Sequence, residues 1–600
     1  MERDKFFDCY IINMLFSDMA NYYSKLESTS SRISMVEVMK DAFKQAEKDE
    51  IRNLIYLTKG MLAPPFENIE IGIAEKMAAE AISITTGVSR EEVEKEFKKE
   101  GDLGVVAEKL MGKNKVRQIK ERRFKVNEVY EALKKIAMIT GEGSQQAKLK
   151  TLSELLASCS PKEAKYIIRF VLGELRLGVG DATILEALAS AYTGNRKNKS
   201  LLENAYNICS DLGKVGEEVA NKGIEGIKGF KVSLFNPIRP ALAERLPTAE
   251  EILKRMGGIA SVESKYDGLR AQVHLDKKQK KVEIFSRNLE RLTPMLPDIV
   301  EAAMKEIRAD EAIIDGEAIA YNEVEDLFYP FQETIQRKRK HGVEEKSKEL
   351  PLHLFAFDIM YLDGKDLLSL PYSERRKKLE EVAKGDRIRP TDRIVAKSPR
   401  ELERYFENVV SKGLEGIVAK DMNAPYVAGA RKFSWIKLKR SYKGELSDSL
   451  DLVIVGYYLG RGTRAEFQFG GLLCAIYDKK KDMFETITRI GTGFTEEMMK
   501  ELKEELDKIK VSKKPARVDS LIEPDFWVEP RYVVTVKADE ITKSPMHTAG
   551  REGETGYALR FPRIVGSGIR RDKSPEDATT LEEVMKMYKD QKKVRVEEQQ

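Results

Sequence analysis

Up to about residue 225 the apolar positions recur at the three-to-four-residue spacing of helices. Asn127–Ile139 puts Val129, Ala132, Leu133, Ile136 and Ile139 on one face, and Gly141 follows as a stop. Ser160-Pro161-Lys162-Glu163 reads as a capping box with proline at the first helical position. Asp181 is expected to cap a helix that aligns Ile184, Leu185, Leu188 and Ala191. No fixed period marks a repeat array. After Lys228 the pattern changes, and Pro237, Pro240 and Pro247 mark a linker. From Ile259 to Lys439 short alternating runs dominate. Val273/Leu275 and Val282/Ile284 flank a polar turn and read as a hairpin, and Leu352–Met360, Gly416–Ala419 and Trp435–Leu438 have strand length. This pattern predicts a mixed α+β domain with antiparallel sheets. Arg440–Asp448 reads as a polar hinge. Beyond it Asp451–Leu459, Gly471–Tyr477, Phe484–Ile490 and Arg531–Ala538 read as strands around one helix, Met498–Ile509. Short strands of this number suit a small barrel, with the OB-fold the natural candidate. The expected domains are therefore an all-α domain at 1–228, an α+β domain at 229–441 and an OB-fold barrel at 442–600.

Composition narrows the class. A chain of 600 residues exceeds what one core fills. No apolar run approaches the ~18–20 residues of a membrane span. Phe6–Phe16 is broken by Asp8 and lacks the basic start of a signal peptide, so an intracellular, soluble protein is expected. Cys9, Cys159, Cys209 and Cys474 lie far apart with no CxxC pair, which argues against a zinc site or a disulfide framework. Charged residues make up 34% of the chain but net to only +5, so a nucleic-acid surface must be local. The wealth of Lys, Glu and Arg with few cysteines matches the composition of hyperthermophilic proteins.

Glu263-Ser264-Lys265-Tyr266-Asp267-Gly268-Leu269-Arg270 is the candidate for chemistry. It sets a lysine between two strands, beside a turn that Gly268 permits. Lys437 and Lys439, alternating on one strand, share a face. A lysine among cations can lose its proton and become a nucleophile. The KxDG pattern alone describes a surface hairpin equally well. Two glycine-rich segments of the helical region, Gly141–Lys148 and Arg176–Asp181, can be read as interhelical turns or as phosphate sites built of free N–H groups.

Further motifs follow in order: Ser286-Arg287-Asn288, Asp315-Gly316-Glu317, Phe355-Ala356-Phe357-Asp358, Glu415–Lys420, Trp435–Lys439, Arg560-Phe561-Pro562-Arg563 and Arg570–Lys573. The ordered set resembles the covalent nucleotidyltransferases, a superfamily of ATP-dependent DNA ligases, RNA ligases and mRNA capping enzymes. From about residue 15 to about residue 590 the chain resembles archaeal replicative-type ATP-dependent DNA ligases, those of thermophilic crenarchaea above all.

The resemblance implies a DNA-binding domain at 1–228, an adenylation domain at 229–441 and an OB-fold at 442–600. It implies nick sealing in replication, repair and recombination, with ATP and Mg²⁺ as cofactors. Lys265 would carry AMP, with Lys437 and Lys439 and a bound Mg²⁺ lowering its pKa. Glu317 and Glu415 would hold the metal, and Glu317 would also touch the ribose. Phe357 would stack on adenine and Glu263 would read the purine edge. Arg270 and Arg287 would bind ribose and the 5′-phosphate of the nick, and Arg431 the nucleotide phosphates. Arg560 and Arg563, with Arg570, Asp572 and Lys573, would orient the leaving pyrophosphate. The implied protein is a monomer acting on nicked duplex DNA in the cytoplasm, associated with the nucleoid, with no membrane. It would dock on a sliding clamp through Gly112–Phe124, with Gln118 opening the motif, Phe124 anchoring it, and Glu121 departing from the pattern. A capping enzyme would use GTP and has no use for a large helical domain. A non-enzymatic DNA clamp could lose Lys265, which this chain keeps.

Overall fold

Apolar residues three and four apart give the N-terminal region its helices, because each buries a single stripe. The structure, a computed structural model, describes residues 13–29, 31–113, 122–322, 327–329, 331–339, 341–412, 414–439, 449–460 and 467–593. The described residues are helical from Phe16–Glu27 through Leu212–Lys228, around one continuous core. Val126–Met138 buries Val129, Tyr130, Leu133 and Ile136, as its periodicity requires. The Ser160 box forms: Glu163 N donates to Ser160 Oγ at 3.4 Å and Ser160 N to Glu163 Oε2 at 2.8 Å.

Two expectations fail here, on Asp181 and on Phe124, while the phosphate reading of the glycine segments stays untested. Asp181 is not a cap; Gly180 precedes the Asp181–Tyr192 helix, and the Asp181 carboxylate turns to Lys59 at 2.6 Å and Arg239 at 3.0 Å. Two cations outweigh one backbone N–H. The basic side chains of the glycine segments are spent internally: Lys148 donates to the Ile71 carbonyl at 2.7 Å, and Arg176 pairs with Asp102 at 2.9 Å. Phe124 is buried in the core, and its carbonyl accepts from Phe16 N at 2.8 Å. Gln118 and Glu121 lie outside the described residues. Phe124→Ala should therefore act as a cavity mutation of about 3–5 kcal/mol, read as a lowered melting temperature; an unchanged melting temperature would return the ring to the surface.

The central domain holds two sheets. The first comprises β1 (Leu242–Arg245), β2 (Ala260–Lys265), β7 (Arg393–Ala396), β8 (Gly416–Lys420) and β9 (Arg431–Lys439), in the order β1-β9-β8-β2-β7. The second carries β4 (Lys281–Phe285), β3 (Leu269–Asp276), β5 (Glu311–Asn322) and β6 (Leu352–Leu362), side by side in that order, with short strands at its margins. Alternation splits the first sheet cleanly. Val262, Ile417, Ala419, Ile436 and Leu438 face helices Ala249–Arg255 and Pro399–Ser411. The other set of side chains faces the second sheet. A small cluster of Ile313, Met360, Tyr426 and Trp435 joins the two.

The C-terminal domain is a mostly antiparallel sheet. Its strand Leu450–Tyr458 pairs with Gly471–Asp478 on one side and with both Phe526–Val528 and Val533–Lys537 on the other. Glu540–Ser544 and Gly556–Arg560 form a separate ribbon. Among the described residues no pairing closes a barrel. Helix Glu496–Asp507, capped by Thr495, buries Met499, Leu502 and Leu506; Ile509 is buried just past its end. The Arg440–Asp448 hinge lies outside the described residues.

Among the described residues the helical and central domains meet in two places. Around Asp181, Arg239 donates its N–H to the Asn207 carbonyl at 2.9 Å and its guanidinium to Asp181 at 3.0 Å. Elsewhere Asn68 and Arg291 exchange side-chain–backbone hydrogen bonds of 3.1 and 3.2 Å, beside the Phe66–Phe285 ring contact. Among the described residues no helix is long and apolar enough to cross a membrane.

Candidate active site

Antiparallel register lines up the motif residues of the first sheet in three rows. Lys265 lies opposite Gly416, which lies opposite Lys439; Glu263 opposite Val418 and Lys437; Ser261 opposite Lys420 and Trp435. Side chains two apart share a face, so all three rows look toward the second sheet. Gly416 is required at its place. Its φ is +146°, and a Cβ there would sit 2.2 Å from the Leu438 carbonyl oxygen. Gly268 is required for a different reason than a turn: a Cβ would sit 2.5 Å from the Ala318 carbonyl oxygen, where the loop crosses β5.

Three carboxylates surround Lys265. Its Nζ is 2.5 Å from Glu415 Oε2, and Lys439 pairs with the other oxygen of Glu415. Glu317, opposite Arg270 on β3, accepts from Gly268 N at 3.3 Å. Burial alone would lower the Lys265 pKa, but Glu415, Glu317 and Asp267 together raise it above the ordinary lysine value. Lys439 spends its charge on Glu415, so the lowering expected of Lys437, Lys439 and a bound Mg²⁺ together would fall mainly to the metal. Burial, reinforced by Glu415 and Asp267, pushes Glu317 up to about 7 despite Lys265 and Arg270. Burial likewise raises Asp267, while Lys265 and Lys439 hold Glu415 below the usual carboxylate range against its own burial.

Phe357 reaches the cleft through a bulge. Asp315 pairs with Asp358 and Gly316 with Ala356, so Phe357 is the extra residue on β6. Bulges re-aim a side chain. The ring is half-buried, edge-on to Trp435 at 5.8 Å, with the Arg270 guanidinium 5.2 Å from its centroid. Arg270 is itself clamped by Asp315 through bonds of 3.1 and 2.6 Å, and Asp315 also accepts from Tyr426 Oη at 2.9 Å.

The remaining candidates are less gathered. Lys437, in the row of Glu263, is half-buried and pairs in register with Arg245 of β1. Arg287 stands exposed in the turn after β4, with no described contact to the Lys265 cluster. Arg431 begins β9, but its side chain lies outside the described residues. Arg560 of the C-terminal domain comes within 3.7 Å of Asp267, which sets that domain against the loop after Lys265.

Sequence reasoning missed a buried set behind Glu263. Tyr372, Thr391, Arg376 and Lys420 all point polar atoms at it. Asp358 and Arg375, both fully buried, form a bidentate pair next to the Phe357 bulge. Only Lys420, two residues beyond Val418, carried a signal, through strand alternation from Glu415-Gly416.

Among the described residues no cluster of three or more His, Cys, Asp or Glu forms a ready-made metal cage. Two carboxylates on either side of Lys265, Glu317 and Glu415, fit a hard divalent cation that takes its other ligands from phosphates and water.

The sequence matches three family models: "DNA ligase N terminus" over residues 15–189, "ATP dependent DNA ligase domain" over 240–439 and "ATP dependent DNA ligase C terminal region" over 465–573. A "Probable DNA ligase" of Dictyoglomus turgidum is 49% identical, covering 98% of this chain and 99% of its own. A "DNA ligase" of Sulfolobus acidocaldarius is 43% identical over 98% and 99%. A solved structure described as "Pmar-Lig_PreS3" shares the fold at a TM-score of 0.55 and 17% identity, covering 91% of this chain and 98% of its own.

Proposed function

The chain belongs to the ATP-dependent DNA ligase family and so is an ATP-using enzyme that seals nicks in DNA; on that premise we propose that Lys265 is the residue that carries the adenylate. The observation that supports this most is the row Lys265–Gly416–Lys439 with Glu415 and Glu317 beside it. The Lys265 amine, once its proton is shed, attacks the α-phosphorus of ATP. The bond to the β-phosphate oxygen breaks, pyrophosphate leaves, and an N–P bond to AMP remains. A 5′-phosphate oxygen of the nick then attacks the same phosphorus, and the N–P bond electrons return to the lysine. The 3′-hydroxyl next attacks the 5′-phosphorus, and AMP leaves.

The other roles are those the family motifs imply. Glu317 and Glu415 would hold Mg²⁺, whose charge would offset the carboxylates that now hold Lys265 protonated. Phe357 would stack on adenine and Glu263 would face its edge. Lys437 and Arg431 would meet the triphosphate, and Arg270 and Arg287 the ribose and the 5′-phosphate. Arg560, beside Asp267, supports a C-terminal domain that closes over the nucleotide. We read that domain as an OB-fold, supported by the central strand Leu450–Tyr458 with pairs on both sides. Boundaries at 228/229 and 441/442 are supported by a helix ending at Lys228 and a strand ending at Lys439. The reading is of a monomer working inside the cell on nicked duplex in replication, repair and recombination. A sliding clamp stays in the proposal through Gln118, and Phe124 leaves it, because that ring is buried.

Incubation with α-labelled ATP tests the reading: an acid-labile, alkali-stable protein label is expected, and its absence with active nick sealing would remove the covalent route. Phe357→Ala should raise the KM for ATP by roughly 5–150-fold, since base stacking on a ring contributes about 1–3 kcal/mol. Adenylation unchanged at limiting ATP would make Phe357 a core residue.

A further inference from the structure

We propose that Lys420, Tyr372 and Thr391 are positioning residues that make the site select a purine carrying a 6-amino group, by holding Glu263 as an acceptor with one direction left open. The inference rests on the reading that Glu263 faces the purine edge.

Glu263 is 1% exposed, on the same face of β2 as Lys265. A carboxylate buried this deeply is tolerated only when its oxygens are paired. Tyr372 Oη donates to Oε1, and Thr391 Oγ1 lies 3.1 Å from Oε2. The threonine's role is fixed by its neighbour. Its oxygen accepts from Arg376 Nη1 at 2.9 Å, so its single hydrogen is free to point at Glu263. Lys420 Nζ is 3.0 Å from Oε2 and donates a second bond, 2.7 Å long, to the Phe357 carbonyl. Its ammonium also lies 4.3 Å from the Trp435 ring centroid. Arg376 stands further off, at 3.7 Å from Oε1.

Every partner of Glu263 is a donor. An ionised carboxylate accepts along about four lone-pair directions. Two are taken on Oε2 and one on Oε1, which leaves one on Oε1. A 6-amino purine offers a donor to that direction. A 6-oxo purine offers an oxygen, and two acceptors face each other. Lys420 supplies a donor in hydrogen-bonding contact with Oε2. Without it, Oε2 loses that donor and the carboxylate is free to turn its open direction away from the base. Lys420 also ties Glu263 to the carbonyl of Phe357, so the ring under the base and the acceptor at its edge are set by one side chain.

ATP and inosine triphosphate isolate this position, because they differ at C6 and carry no 2-amino group. The test measures adduct formation by the full chain at subsaturating labelled ATP and labelled inosine triphosphate. Lys420→Met should lower the ATP-to-inosine preference at least tenfold, through the inosine nucleotide gaining or losing less than ATP. Tyr372→Phe and Thr391→Val should lower it by smaller factors, and Lys420→Arg should keep it. A merely structural role would slow both nucleotides equally, and an unchanged ratio in Lys420→Met overturns the proposal. Should that variant fail to fold, Tyr372→Phe decides by the same ratio. Glu263→Gln separates the two layers. If it leaves the ratio untouched, Glu263 does not face the base and the underlying reading fails. If it moves the ratio while Lys420→Met and Tyr372→Phe do not, only the present inference fails.

Discussion

Lys265→Ala should form no AMP adduct. The side chain sits where three carboxylates and two strands converge, and its nearest lysine in the row, Lys439, is committed to Glu415. No described amine can take its place without breaking that pair. Lys265→Arg should fail as completely, since a guanidinium stays protonated and offers no lone pair. A control protects the inference from misfolding. On a nick that already carries 5′-adenylate, the alanine variant needs no lysine adduct and should still join the ends. An adduct in Lys265→Ala would move the nucleophile elsewhere. Loss of joining on the pre-adenylated nick as well would mean that the substitution damaged more than one step.

Arg375→Met should be the most damaging substitution for stability near the site. Arg375 and Asp358 are fully buried and bidentate, at 2.8 and 3.0 Å, and Arg375 also satisfies the Leu370 and Ala424 carbonyls. Removing one partner strands a buried carboxylate, which costs about 3–5 kcal/mol. For a domain of this size that is a fall of roughly 10 °C in melting temperature. Asp358→Asn/Arg375→Met should melt above Arg375→Met, because the stranded charge is gone. If the double variant melts no higher, charge burial is not the cause.

Much of this was legible because strand alternation is exact. Lys265 with Glu263, Lys437 with Lys439, and Glu317 at the end of Asp315-Gly316 could be placed on faces from spacing alone. What spacing cannot reveal is the partner across space. Arg270 matched a phosphate-binding position, yet its fork is held by Asp315, 45 residues away. Phe357 was singled out by its motif alone, because the bulge that aims it leaves no mark on the sequence. The carboxylates around Lys265 were hidden for the same reason: the lysines stand in one motif, while the acids come from Asp267, Glu317 and Glu415. Tyr372, Arg375 and Arg376 carried no motif, yet the helix turns them inward onto Glu263 and Asp358. Phe124 and Asp181 show that a loop ring can be core and a capping residue can serve a tertiary ion pair instead.

The two contacts between the helical and central domains differ in kind, and the difference gives the molecule a direction. At Asp181, two cations, a tyrosine and the backbone of Arg239 converge near the linker itself. At Asn68, two surface hydrogen bonds and one ring edge stand alone. Bonds of that sort contribute about 1 kcal/mol each, so the far contact is the weaker of the two. Were the two domains to part, the Asn68 edge is where it would cost least.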